Sequence, residues 1–237
     1  MLRLFSSLVL ATIFGTAALH AQQIPSPFRY IETKHSFGAF AGYLVTDAGE
    51  IDLLQSPGAE LGPRSAPVLG LRYNYRFTGP VSGEAALGFS PGQRTIYETD
   101  ALAGDTIQRP LATGDAGVLL LLAEGGVRFH LTGARTWNNL APYVLATCGI
   151  VADVAGRGSD EDFVPTTERY RLGPGFALGA GLGTDYFVSP RTSLRVELRD
   201  QIWRVEAPQG FPVESNDDRT RWKNNLGFSL GVAYHFR

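Results

Sequence analysis

The chain has little cysteine, almost no net charge and no long apolar run beyond its N-terminus. It has one cysteine, Cys148, among 237 residues, so no disulfide forms within it and most cysteine-based metal sites are excluded. The formal net charge is −2, which gives no electrostatic basis for binding nucleic acid. After residue 21 the longest apolar run is Val118 to Ala123, six residues, against the roughly 18 or more that a spanning helix needs.

The N-terminus has the pattern of a secretory signal. Arg3 precedes an apolar stretch over 4–14, and small residues follow up to Ala21, which is the order that export signals show. The domain organisation that we predict is a removed signal peptide (1–21), a short periplasmic lead-in (22–35) and a folded barrel domain (36–237).

Beyond the lead-in, side chains alternate with a period of two, which is typical of strands and not of helices. Eight segments follow this pattern, with approximate bounds Ser36–Thr46, Val68–Phe77, Val81–Phe89, Leu119–Leu131, Leu140–Ala152, Phe176–Val188, Ser193–Trp203 and Leu226–Phe236.

The connections between these segments alternate strictly in length. Three are short and four are long, the short ones being 78–80, 132–139 and 189–192 and the long ones 47–67, 90–118, 153–174 and 204–225. An up-and-down barrel produces this alternation when one rim carries tight turns and the other carries large loops. The fold class that we predict is therefore all-β, an eight-stranded antiparallel up-and-down transmembrane β-barrel with long extracellular loops and short periplasmic turns.

The two faces of the strands differ in a way that sets their orientation. In 226–236, every even-numbered residue is apolar or aromatic and every odd-numbered residue is small or polar. In most of the other segments, charged residues and glycines share one face. A lumen of eight strands is only just wide enough for side chains, so long charged chains there need glycines beside them. We therefore assign the polar face to the lumen and the apolar face to lipid, against the inverse arrangement of a soluble barrel.

Aromatic residues near the strand ends fit an interfacial girdle. These are Tyr43, Tyr73, Tyr75, Phe77, Tyr186, Tyr234 and Phe236.

Two strands fit the alternation poorly. The fifth has no clear polar face, and we expect Val144, Ala146, Cys148 and Ile150 to point outward. In the seventh, strict alternation places Asp200 on the lipid face, where a carboxylate at mid-depth is costly. We expect a bulge near Arg199 and Asp200 that turns the carboxylate inward and re-aims Trp203.

Three segments of the placed strands, APYVLATCGI, FALGAGLGTDYFVSPRTSLRVELRD and NNLGFSLGVAYHF, resemble the outer-membrane β-barrel superfamily of OmpA-type eight-strand proteins, here as a barrel domain alone. The resemblance implies residence in the outer membrane, contact with its lipids and lipopolysaccharide, and insertion by the barrel-assembly machinery, which recognises an aromatic-ended last strand. Phe236 is penultimate here, since Arg237 follows it, which departs from that pattern.

Nine charged residues point into the lumen by parity, and we interpret them as a plug of ion pairs, since buried charges must be paired. They are Arg72, Arg76, Glu84, Glu124, Arg128, Asp185, Arg195, Glu197 and Arg199. The function that we predict is structural, or recognition through the loops, in a monomeric protein that is not an enzyme and binds no cofactor or metal. A narrow ion or small-solute channel is the first alternative.

A lipid-modifying enzyme is the second alternative, and it would need a histidine with a partner. After the signal, the chain has His35, His130 and His235. Leu131 and Thr132 follow His130, which therefore lacks a serine at the spacing that resembles lipid A deacylases, and His35 with Ser36 lies at the start of the first strand, near the short-turn rim. We interpret each histidine as a hydrogen-bonding residue of the rim or lumen. We therefore assign no catalytic residue.

Overall fold

The computed structural model describes residues 26–47, 50–53, 56–100, 109–155, 162, 164–170, 172–210 and 220–237. The predicted signal peptide lies outside these ranges, as do residues 22–25 of the lead-in. The described residues form twelve strands: β1 (Phe28–Tyr30), β2 (His35–Thr46), β3 (Glu50–Leu53), β4 (Ser56–Glu60), β5 (Ala66–Arg76), β6 (Val81–Asp100), β7 (Arg109–His130), β8 (Arg135–Trp137), β9 (Leu140–Asp153), β10 (Gly175–Ser189), β11 (Thr192–Glu206) and β12 (Thr220–Phe236).

Eight of these strands close into an antiparallel barrel in the order β2, β5, β6, β7, β9, β10, β11 and β12. The barrel is closed because β12 pairs back onto β2, from Asn225 opposite Thr46 to Phe236 opposite His35. Each barrel strand thus pairs with the preceding and following barrel strands along the chain, and no edge is left unpaired at the seam. The predicted all-β, eight-stranded up-and-down barrel is confirmed.

No helix in the part of the chain that the structure describes has both the length and the apolar character needed to cross a membrane.

The second long connection was predicted wrongly as a loop over 90–118. There β6 continues to Asp100 and β7 begins at Arg109, and the two pair up to that level. The prolines and glycines that read as turn signals are tolerated because β5 pairs with β6 only as far as Phe89. Above this level no strand pairs with this edge of β6, although the backbone N–H of Arg64 donates to the carbonyl of Gln93 over 2.8 Å. Pro91 therefore leaves no hydrogen bond of a strand ladder unmade.

The outer wall of the barrel is apolar. Its exposed side chains include Leu69, Leu71, Phe129, Leu182, Leu198, Phe228 and Leu230. The fifth barrel strand, β9, follows the same rule, because Val144, Ala146, Cys148 and Ile150 are exposed and Tyr143, Leu145, Thr147 and Val151 are buried. The predicted facing of this strand is confirmed.

The predicted bulge at Arg199 and Asp200 is wrong. The register of β11 with β10 and with β12 runs through both residues without a shift. Asp200 therefore stays on the outer face, and Trp203 points inward, where it is 1% exposed. Asp200 lies eight residues beyond Thr192, which corresponds to about 20 Å along the axis of a barrel with the usual strand tilt, where membrane barrels have an apolar belt of about 25 Å. It is thus near the upper edge of the belt, where a carboxylate costs little.

Two further features shape the end of the barrel that carries the short turns, called here the short-turn end. The strand β1, within the predicted lead-in, pairs with β8 from Phe28 opposite Trp137 to Tyr30 opposite Arg135. Aromatic rings pack outside the wall, with His35 stacked on Phe236 at 5.4 Å between centroids. The opposite end, with the long connections, is called the long-loop end.

Candidate functional site

The charged residues assigned to the lumen meet in a layer nearer the short-turn end. Among the described residues, eight of the nine join one network of ion pairs: Arg72, Glu84, Glu124, Arg128, Asp185, Arg195, Glu197 and Arg199. The ninth, Arg76, lies apart at the rim, where its Nη1 donates to the carbonyl of Ile31 over 3.4 Å. Its position at the last residue of β5 takes it out of the layer.

Arg199 of β11 contacts three acids. Its Nη2 lies 2.7 Å from Glu84 Oε1 and 2.8 Å from Glu197 Oε1, and its Nη1 lies 2.6 Å from Glu124 Oε2. Because β6 and β11 are four strands apart in either direction around the barrel, the contact with Glu84 spans its full width.

Arg128 of β7 approaches the same acids from another wall. It is paired with Glu84, and its Nη2 lies 3.2 Å from Glu197 Oε2. Tyr143 of β9 donates its hydroxyl to the same Glu197 oxygen over 2.6 Å, and its ring lies 4.2 Å from the Arg128 guanidinium. Charge-assisted hydrogen bonds of this kind are the strong ones in a protein interior.

The remaining two arginines complete the layer. Arg195 holds Asp185 with two nitrogens, Nε at 2.6 Å from Oδ1 and Nη2 at 3.2 Å from Oδ2. Arg72 of β5 reaches Glu197 at 2.9 Å and donates to Ser229 Oγ at 3.0 Å. Seven of the eight barrel strands, all except β2, thus contribute polar groups to these contacts in one cross-section of the barrel.

Glycines provide the space for these long side chains. A Cβ on Gly183 would stand 2.6 Å from Tyr143 Cζ and 2.7 Å from the Val196 carbonyl oxygen. Neither neighbour can retreat, because one is a packed ring and the other is backbone of the adjacent strand. Glycine is therefore required at this position of the lumen-facing side, because a larger residue would collide with the packed side chains and the neighbouring strand.

Below the charged layer, at the short-turn end, two serine–histidine pairs were missed by the sequence reasoning. Ser82 Oγ lies 3.1 Å from His130 Nε2, and Ser193 Oγ lies 2.8 Å from His235 Nε2. Both pairs are buried. Ser82, His130 and His235 line a cavity of about 20 Å³, which has room for about one water molecule. In each pair the serine and the histidine lie on neighbouring strands, 48 and 42 positions apart in the sequence, so no short sequence motif could reveal them.

Above the charged layer, toward the long-loop end, the lumen is apolar. The buried cluster there draws on six barrel strands and on three segments outside them: Leu44, Leu61, Val68, Val118, Leu120, Leu122, Val151, Tyr170, Leu172, Ala177, Trp203, Val205 and Ala207. The apolar run Val118 to Ala123 could have predicted this layer. Its side chains are apolar on both faces of the strand, which is expected where one face meets lipid and the other packs in an apolar lumen.

Two connections fold back into this apolar layer. Leu61 is 1% exposed, and Tyr170 and Leu172 are 4% and 5% exposed. The Tyr170 ring lies 5.6 Å from the guanidinium carbon of Arg94, a residue of the extended part of β6. Burial raises the pKa of the Tyr170 phenol above its ordinary value, so the group stays neutral at physiological pH.

The described residues contain no group of three or more histidines, cysteines, aspartates or glutamates placed to hold a metal ion. The carboxylates of the lumen are instead neutralised by arginine. Their arrangement fills and fixes the interior and offers no coordination site to a cation.

Comparison with known proteins supports the architecture. No family model and no curated protein matches the sequence. Among solved structures, the outer membrane protein OprG from Pseudomonas aeruginosa is similar with a TM-score of 0.53 and 15% identity, over 86% of this chain and 97% of that one. Neisserial surface protein A is similar with a TM-score of 0.48 and 12% identity, over 85% and 97% of the two chains. At such identities the likeness to OprG concerns the fold alone, and this chain has the fold of the eight-strand outer-membrane β-barrels.

Proposed function

We propose that the protein is an integral outer-membrane barrel with a sealed lumen, which supports membrane integrity and carries recognition on its long-loop end. The closed hydrogen-bonded wall and the apolar outer surface are what a hydrocarbon environment requires. In the membrane orientation that we propose, the short-turn end faces the periplasm, and the outer wall contacts phospholipid and lipopolysaccharide.

The observation that carries the proposal is the pair of layers that fill the lumen. Arg199 bridges opposite walls to Glu84, and side chains from the connections close the apolar layer above. The cavity beside Arg72, Phe40 and Leu122 has about 40 Å³, enough for one or two waters. A hydrated ion would have to break several buried ion pairs to pass.

The same geometry argues against catalysis in the lumen. A serine and a histidine at hydrogen-bond distance are the start of a nucleophilic site. At Ser82 and His130, however, the adjoining cavity of about 20 Å³ admits water and excludes an acyl chain or a peptide. In the second pair, His235 also lines a larger groove at the short-turn end, but the partner Ser193 is 0% exposed, so its hydroxyl cannot reach a substrate. We therefore read both pairs as hydrogen-bonding partners that satisfy buried polar groups.

Conductance of the purified protein in a planar bilayer tests the sealed lumen. With insertion established independently by co-flotation with lipid vesicles, we expect no unitary current. Stable currents that change in the charge reversal Arg72→Glu would show a wet lumen and make the narrow channel the better description. Altered lipid A in cells that express the protein, abolished by His130→Ala, would favour a lipid-modifying enzyme instead.

A further inference from the structure

A groove of about 800 Å³ lies at the short-turn end of the barrel. Its walls are formed by β1 with the segment after it, the β8 region, the turn between β10 and β11, and the C-terminal residues. It is by far larger than the cavities of the lumen, which measure about 20 and 40 Å³. Its size suits a polar headgroup with its glycerol, and the filled lumen makes no use of it.

The groove has a surplus of positive charge. Three arginines line it (Arg29, Arg191 and Arg237), against one acidic side chain, Glu32, and the α-carboxylate of Arg237. Glu32 is occupied by Arg237, with Oε2 and Nη2 2.8 Å apart. Among the described residues, no ion pair engages the guanidinium of Arg29 or of Arg191, so both are available to an anion.

The surplus extends around the whole short-turn end. Lys34 and Arg135 are also exposed there. In the described segments 26–35, 77–80, 131–139 and 189–192, Glu32 is the only acidic residue. Arginine-rich surfaces of this kind, placed beside a bilayer, attract anionic lipid headgroups.

The groove is also continuous with the apolar outer wall. Val188, Tyr234 and Phe236 line it and are 61%, 51% and 38% exposed. By the alternation of β12, Tyr234 and Phe236 belong to the face that carries Leu230 and Phe228. A molecule bound here meets guanidinium groups on one side and the apolar belt on the other.

We infer that this groove binds the headgroup of an anionic phospholipid of the inner leaflet, such as phosphatidylglycerol. The phosphate accepts hydrogen bonds from Arg29 and Arg191, since guanidinium groups bind phosphate in a bidentate fashion. The acyl chains follow the wall past Tyr234 and Val188. This inference rests on the proposed membrane placement, which sets the short-turn end at the inner leaflet.

Native mass spectrometry of the full chain, folded in detergent micelles, tests the inference with matched lipids. We expect one phosphatidylglycerol to be retained at least tenfold more tightly than phosphatidylcholine with the same acyl chains. The double variant Arg29→Gln/Arg191→Gln should lose this preference, and Arg29→Lys/Arg191→Lys should keep most of it. Arg135→Gln is the matched control, because Arg135 carries the same charge at the same end but does not line the groove.

Equal retention of the two lipids by the wild type would overturn the inference, as would a loss in Arg135→Gln equal to that in the double variant. Competition by glycerol phosphate as effective as the intact lipid would assign the groove to a soluble phosphate instead. Circular dichroism and vesicle flotation of each sample report folding and insertion separately. A wild-type chain that fails to insert would overturn the proposed function, whereas insertion without lipid preference overturns only this site.

Discussion

Arg199 and Glu84 lie 115 positions apart in the sequence, yet the Nη2 of one is 2.7 Å from the Oε1 of the other. They extend from opposite walls of the barrel, so their contact closes the lumen at its widest separation. Both side chains are almost wholly buried, at 6% and 1% exposed. The pair therefore depends on the whole barrel being closed, and the rest of the charged layer is arranged around it.

Replacing Arg199 with methionine should destabilise the barrel strongly. Glu84, Glu124 and Glu197 would each lose a cationic partner while staying buried, and uncompensated buried charge costs about 3–5 kcal/mol. The free energy of unfolding in urea, measured for protein folded into lipid vesicles, checks this.

Arg204→Met is the matched control for that experiment. Arg204 lies on the same strand but is exposed, and its Nη2 donates to Thr220 Oγ1 over 3.0 Å. Exposed polar contacts are worth less than about 1 kcal/mol. Equal losses in the two variants would contradict the view that the lumen network holds the barrel together.

Tyr143→Phe removes a single hydroxyl from the charged layer and leaves the ring in place. Glu197 would then lose a donor at 2.6 Å, and an unsatisfied buried acceptor costs about 1–3 kcal/mol. Tyr186→Phe, on the exposed outer wall, should leave the free energy of unfolding almost unchanged. Urea unfolding in vesicles compares the two, and a neutral Tyr143→Phe would mean that Glu197 is satisfied by the arginines alone.

The outer wall provides a test of membrane depth. Leu230 is 53% exposed and lies mid-way along the apolar face of β12, so Leu230→Arg should cost about 2–4 kcal/mol in a bilayer. Leu131 follows directly after β7 at the short-turn end, and Leu131→Arg should cost at most about 1 kcal/mol, because its charge reaches the interface. If the two penalties were alike, the belt would not be at the assumed depth.

The strands and their faces were predictable because successive residues of a strand point to opposite faces of the sheet. In a strand without a bulge, odd and even positions therefore keep their faces throughout. In β12 the alternation from Leu226 to Phe236 matches the observed exposure throughout, and β9 follows it despite lacking a polar face. The one exception that we expected, at Asp200, arose from placing this residue too deep in the membrane. Its distance from the short turn, together with strand tilt, removes the conflict that the bulge was meant to resolve.

The partners within the lumen were not predictable, because they depend on how far each strand is staggered around the barrel. Parity puts Arg76 and Arg199 on the same face, but height along the barrel leaves Arg76 at the rim and joins Arg199 to three acids. The apolar upper layer was missed for a related reason. Leu61 and Tyr170 come from connections, whose return into the lumen leaves no periodic signal in the sequence.

Cys148 makes the facing of β9 testable with a single reagent, because it is the only cysteine in the chain. It is exposed on the outer wall between Ala146 and Ile150, so in a bilayer lipid should surround it. A membrane-impermeant maleimide should leave Cys148 unlabelled in vesicles and label it fully in urea. In the variant Cys148→Ser/Ser189→Cys, the thiol sits at the exposed end of β10, beside the short turn, and should react in vesicles opened by freezing and thawing. Rapid labelling of Cys148 in those same vesicles would place it in water and contradict a lipid-facing outer wall.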